Sequence, residues 1–152
     1  MSWVPLGEAA GLRYCCARGS ATTLSLPNNT STAVTLDTWL ARSDSSLYTF
    51  SDGGIKVNEA GIYLVGANLY FYCSANAYRS ILLVNHAGKT IHQAGYGAQD
   101  ATPQGAVALA PKAMALSNGT VINLHGKQTN NTTAGKLYPS NLGTYMTIIK
   151  IG

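Results

Sequence analysis

The chain has 152 residues, 46% hydrophobic and 11% charged, with a formal net charge of +4. That length holds one domain with a full core, and high hydrophobicity with little charge excludes disorder. The lysines and arginines are dispersed, which excludes the cationic stripe of a nucleic-acid surface, and no apolar run approaches the roughly 20 residues of a membrane-spanning helix.

Residues 1–20 read as an N-terminal arm without sustained periodicity. It holds Trp3, Val4, Pro5 and Leu6 as an apolar group and Arg13 and Arg18 as polar ones. No basic segment followed by an apolar run stands at its start, so synthesis in a cytoplasm is the expectation. Cys15 and Cys16 are adjacent and Cys73 stands alone. An odd, unevenly spaced set reads as reduced small residues, neither a disulfide framework nor a zinc site.

From Ala21 onward short strands alternate with turn chemistry. Strands are expected at 22–26, 33–40, 47–50, 55–57, 62–72, 78–85, 89–94, 105–109, 112–116, 120–128 and 143–151. Pro27-Asn28-Asn29, Ser51-Asp52-Gly53-Gly54, Asn58-Glu59-Ala60-Gly61, Asn118-Gly119 and Asn130-Asn131-Thr132-Thr133 punctuate them, and His86-Ala87-Gly88 reads as a tight hairpin turn. Evenly spaced short strands without helical periodicity mean a two-sheet sandwich or jelly roll, with residues 21–152 as the head domain.

The run from Gly61 to Tyr72 carries no charge. At period two, Tyr63, Val65, Ala67, Leu69 and Phe71 share one face, and Ile62, Leu64, Gly66, Asn68 and Tyr70 the other. Both faces are largely apolar. One must pack on a second sheet, and the other meets a covering loop or another subunit.

Catalytic and metal templates are thin. His86, His92 and His125 read as turn or surface histidines, and no carboxylate pair faces another across an expected cleft. Asp52 offers too few oxygens by itself for calcium. Neither a nucleophile elbow nor a phosphate loop is present. The expectation is therefore no enzyme, no cofactor and no metal. The loops bearing Tyr96, Gln99, Gln104 and Tyr138 offer amide and aromatic groups to a glycan or protein, although ordinary solvated loops are the plainer reading.

Val34–Trp39, Tyr48-Thr49-Phe50, Ile55–Ala67, Tyr78–Val84, Ser117–Leu124 and Tyr145–Ile149 follow one another in an order that resembles the complement component 1q and tumour-necrosis-factor jelly-roll family. The likeness is greatest to the short versions in bacteriophage and bacterial structural proteins. It implies an all-β, two-sheet antiparallel jelly roll of about ten strands, assembled as a homotrimer, whose members bind partners and are not enzymes. No Gly-X-Y stalk precedes the domain. One face of strand 62–72 and the closing strand would then line the threefold axis, with Tyr63, Val65, Tyr145 and Ile149 as the expected contacts.

The functional expectation is a non-enzymatic structural protein on the surface of a bacteriophage virion, a capsid decoration or fibre-type protein held to capsid or tail proteins by its arm. The alternative is a carbohydrate- or receptor-binding module of a tail fibre or bacterial surface, with a host glycan as partner. Neither reading involves nucleic acid or a membrane.

Overall fold

The computed structural model describes residues 11–73, 77–96, 104–129 and 135–152, and among them it has thirteen strands and no helix. In chain order these are β1 (Arg13–Arg18), β2 (Leu24–Leu26), β3 (Thr32–Val34), β4 (Thr38–Arg42), β5 (Tyr48–Ser51), β6 (Gly54–Val57), β7 (Gly61–Tyr72), β8 (Tyr78–Asn85), β9 (Thr90–Tyr96), β10 (Gln104–Leu116), β11 (Val121–Thr129), β12 (Gly135–Leu137) and β13 (Tyr145–Lys150).

They form two antiparallel sheets. The first, of seven strands, runs β2-β12-β7-β13-β1-β4, with β10 on the other side of β7; the second, of six, runs β5-β6-β11-β8-β9, with β3 also pairing β11. β7 is the spine of the first sheet. Its full length pairs with β10, and its other edge pairs with β13 from Tyr63 to Asn68 and with β12 at Phe71 and Tyr72.

Several expected elements change. Residues 13–18, assigned to the arm, form β1, inserted between β13 and β4. Cys15 and Ala17 point into the core and are fully buried, so small side chains do here what larger ones do elsewhere. Burial pushes the Cys15 thiol up to about 12. The expected strand 33–40 breaks at Thr35-Leu36-Asp37 into β3 and β4, which lie in different sheets. Conversely, 105–109 and 112–116 are one strand, β10, with a bulge between Leu109 and Lys112 that accommodates Pro111. β12 was not expected. Asp52 (φ 49°) and Gly53 (φ 76°) make the left-handed pair of the β5–β6 turn, as Asp-Gly should.

The two inner faces meet in one cluster. Tyr63, Val65, Leu69 and Phe71 of β7 and Ile81, Leu83, Ile122 and Leu124 of the second sheet are all fully buried. Each such side chain contributes about 1.5–3 kcal/mol. Two tyrosines reach the core with their hydroxyls satisfied. Tyr48 donates to the Arg13 carbonyl at 2.9 Å and Tyr63 to the Glu59 carbonyl at 2.6 Å, and their rings meet edge to face at 6.4 Å. Desolvation raises both phenols above their ordinary value. At the open edge Trp39 of β4 stacks on Phe50 of β5, rings 4.0 Å apart, with the Arg42 guanidinium 4.7 Å from the indole centroid. That stack ties the edge of one sheet to the edge of the other.

Candidate functional site

The fold leaves the outward face of the first sheet uncovered by any other described element. On β7 the odd-numbered residues from Tyr63 to Phe71 fill the core, so Tyr63 and Val65, expected at a subunit contact, are instead inside the sandwich with no exposed surface. Their neighbours Ile62, Leu64, Asn68, Tyr70 and Tyr72 point outward. Tyr145 and Ile149 do lie on that outer face, paired in register with Asn68 and Leu64. Ile62 is 40% exposed and Tyr145 37%, and β7 carries no charged residue. Ala106, Ala108, Ala113 and Ala115 of β10 extend the face with exposed methyl groups.

The β10 bulge shapes the centre of this surface. A Cβ on Gly66 would lie 3.2 Å from both the Leu109 carbonyl oxygen and the Pro111 ring, so glycine lets the bulge fold close against β7. The bulge is held from behind, where His92 Nε2 bonds the Ala110 carbonyl at 2.8 Å and Lys112 Nζ donates to the Ile91 carbonyl at 3.4 Å. The result is an apolar depression of about 430 Å³ lined by Gly66, Ala108, Ala110, Pro111, Tyr145 and Thr147.

At the upper end of β7 the structure brings together two of the expected loop residues. Tyr70 meets Tyr138 edge to face at 5.7 Å, and its hydroxyl lies 3.4 Å from Gln104 Oε1. Asn68 Nδ2 donates to the Gly143 carbonyl at 2.7 Å, and the Tyr70 N–H to Thr144 Oγ1 at 3.1 Å, which fixes the turn before β13 beside this cluster. Tyr96 ends β9, and its side chain lies outside the described residues, as do Gln99, Trp3, Val4, Pro5 and Leu6.

Arg13 and Arg18, expected as polar anchors of an arm, belong to the domain. Arg13 bonds Asp44 at 2.8 Å and Glu59 at 2.7 Å, and Glu59 also faces Lys150 at 3.5 Å. Hydrogen bonds from Ser46, Leu47 and Arg13 hold the Asp44 carboxyl well below the usual carboxylate range, and the Arg13 bond lowers Glu59. Arg18 donates to the Ser140 carbonyl at 2.9 Å. The histidines each spend a ring nitrogen on a different bond: His86 Nδ1 accepts the Val121 N–H at 3.3 Å, His92 meets Ala110, and His125 Nδ1 lies 2.9 Å from Ser31 Oγ. Burial lowers His125. Among the described residues no group of three or more His, Cys, Asp or Glu side chains could hold a metal ion. There, too, Cys15, Cys16 and Cys73 are free thiols.

Solved structures give the fold a name. The chain is similar to Eiger TNF from S. frugiperda (14% identity, 93% of each chain covered, TM-score 0.64). It is also similar to murine APRIL at pH 5.0 (16% identity, 92% of this chain and 99% of that one, TM-score 0.68) and at pH 8.0 (15% identity, the same coverage, TM-score 0.67). No family model matches the chain, and no curated protein matches it. At these identities the likeness establishes architecture: an all-β, two-sheet antiparallel jelly roll of the tumour-necrosis-factor type.

Proposed function

We propose that three copies of this chain pack the outward face of the first sheet around a threefold axis, and that the trimer is a non-enzymatic structural protein on the surface of a bacteriophage virion. The observation that carries the assembly is the uncharged outer face of β7 and β13, with Ile62, Leu64, Tyr145 and Ile149 on one continuous surface. Monomeric proteins seldom present such a patch to water, and a closed ring of identical copies covers it without any second component.

The virion reading rests on the resemblance to short phage jelly rolls and on a chemistry that needs no oxidising compartment, since Cys15, Cys16 and Cys73 are free thiols. Residues 1–10, ahead of β1, supply the attachment to capsid or tail proteins through Trp3, Val4, Pro5 and Leu6. The Tyr70, Tyr138 and Gln104 cluster favours a second reading, a receptor- or glycan-binding module of a tail fibre, because aromatic and amide groups are grouped there.

Light scattering tests the assembly. Three chains of 15.9 kDa give about 48 kDa, and a stable species near 16 kDa overturns it. Virions purified from the encoding phage test the location: the chain should co-purify with them and label on their surface, and its absence from washed particles overturns the virion assignment.

A further inference from the structure

We propose that the cleft between the β8–β9 and β10–β11 turns binds a neutral saccharide. The cleft encloses about 480 Å³ and is lined by residues 85–86, 91 and 115–120, a volume within the range of small-molecule sites. It lies at the opposite end of β7 and β10 from Gln104 and Tyr138: Leu116 at its wall pairs with Gly61, whereas Gln104 pairs with Tyr72. The inference uses neither the threefold axis nor the virion and stands apart from both.

Among the described residues the lining holds hydrogen-bonding groups of both kinds and no charged side chain. His86 Nδ1 accepts the Val121 N–H, so in the neutral ring the proton sits on Nε2, which is then a donor. Asn85 Oδ1 accepts the N–H groups of Ala87 and Lys89, which leaves the amide NH2 as what Asn85 can offer a ligand. Thr120 Oγ1 donates to the Ser117 carbonyl at 2.8 Å and so keeps lone pairs to accept with. Asn118, exposed at the turn, adds an amide with both a donor and an acceptor end.

Vicinal hydroxyls, each a donor and an acceptor, are the ligand chemistry that such a mixed, uncharged set fits. An anion would call for a cationic side chain, and none of the described residues lining the cleft carries one. Ile91 and Leu116 supply the apolar surface on which the C–H face of a sugar ring can rest. The walls are set before any ligand arrives. Asn85 N–H bonds the Lys89 carbonyl at 2.9 Å and Thr120 N–H the Ser117 carbonyl at 3.1 Å, so little ordering remains to be done on binding. Among the described residues no carboxylate pair lines the cleft, and the role proposed for it is binding alone.

The test is an NMR titration of the full-length, isotope-labelled protein with the methyl glycosides of glucose, galactose, mannose and N-acetylglucosamine. Saturable shifts of the His86 imidazole and of the Ile91 and Leu116 methyls with at least one of them are expected. Asn118→Ala should weaken that sugar about tenfold, the loss of one hydrogen bond to ligand. Because His86 also holds Val121, His86→Gln serves beside it, and the melting temperature of each variant shows that the fold is intact. No shift at the cleft with any of the four glycosides overturns the proposal, as do shifts that both variants leave unchanged. Light scattering on the same samples reads the trimer separately, so either proposal can fail alone.

Discussion

The two faces of β7 are almost equally apolar in sequence and have opposite fates. Inward, Tyr63, Val65, Leu69 and Phe71 are sealed by the second sheet, and the one polar atom among them, the Tyr63 hydroxyl, is satisfied by the Glu59 carbonyl. Outward, Ile62, Leu64 and Tyr70 flank Gly66 and Asn68, and this face meets no element of the second sheet. Hydrophobicity alone therefore does not mark a core. What separates the faces is that the second sheet covers the inner one and no described strand covers the outer one. Changes on the first should act on folding, and changes on the second on assembly.

The largest expected effect comes from taking away cover for the inner face altogether. Deleting residues 1–20 removes β1 from between β13 and β4, exposing two strand edges and the cavity left by Cys15 and Ala17. That protein should be insoluble or unfolded by circular dichroism. Deleting residues 1–10 alone should leave the melting temperature and the number of chains per assembly unchanged while abolishing incorporation into virions. If the longer deletion folds as well as the shorter, the placement of β1 in the domain is wrong.

Next is the inner face itself. Phe71→Ala leaves a cavity in a fully buried position and should cost about 3–5 kcal/mol in urea unfolding. Tyr63→Ala also loses the hydroxyl's bond to the Glu59 carbonyl and the edge-to-face contact with Tyr48, so it belongs in the same range. Tyr145→Asp, on the outer face, should instead lower the solution mass from trimer to monomer while costing the single chain about 1 kcal/mol or less. Light scattering and urea melts on the same three variants decide between the faces. A Tyr145→Asp protein that stays near 48 kDa would place the threefold axis elsewhere.

This division was only half legible in the sequence. The strand at 61–72 and its two faces followed from uncharged, β-branched and aromatic residues entered through a glycine. Which face went inside did not, because periodicity separates faces without orienting them. The available signal was Gly66 and Asn68, a missing side chain and an amide on one face, which suit a surface better than a core. β1 stayed hidden because its buried residues are Cys15 and Ala17, whose burial is imposed by the strands on either side and not by their own hydrophobicity. β10 read as two strands because Ala110-Pro111 looks like a terminator, whereas a bulge absorbs the proline within one edge strand. The saccharide cleft joins turns that are distant in sequence and become neighbours through the pairing of β8 with β11 and the bonds between β9 and β10.

The smallest effect tests the rim beside the two faces. Arg13, Asp44 and Glu59 are 31 and 46 residues apart in sequence and meet only because β1 lies in the sheet. Both carboxyls are held below their unfolded values, Asp44 first by the Ser46 hydroxyl and Glu59 first by Arg13. A depressed folded pKa contributes stability that is fully present above the unfolded value, about 4, and is lost as pH falls through the folded one. Melting temperature should therefore be flat from neutral pH to about 5 and decline below about 4. Asp44→Asn should flatten that decline. The pairs are partly solvated, so added salt should shrink the difference. An acid profile that Asp44→Asn leaves unaltered would mean that the rim only accompanies β1 and does nothing to hold it.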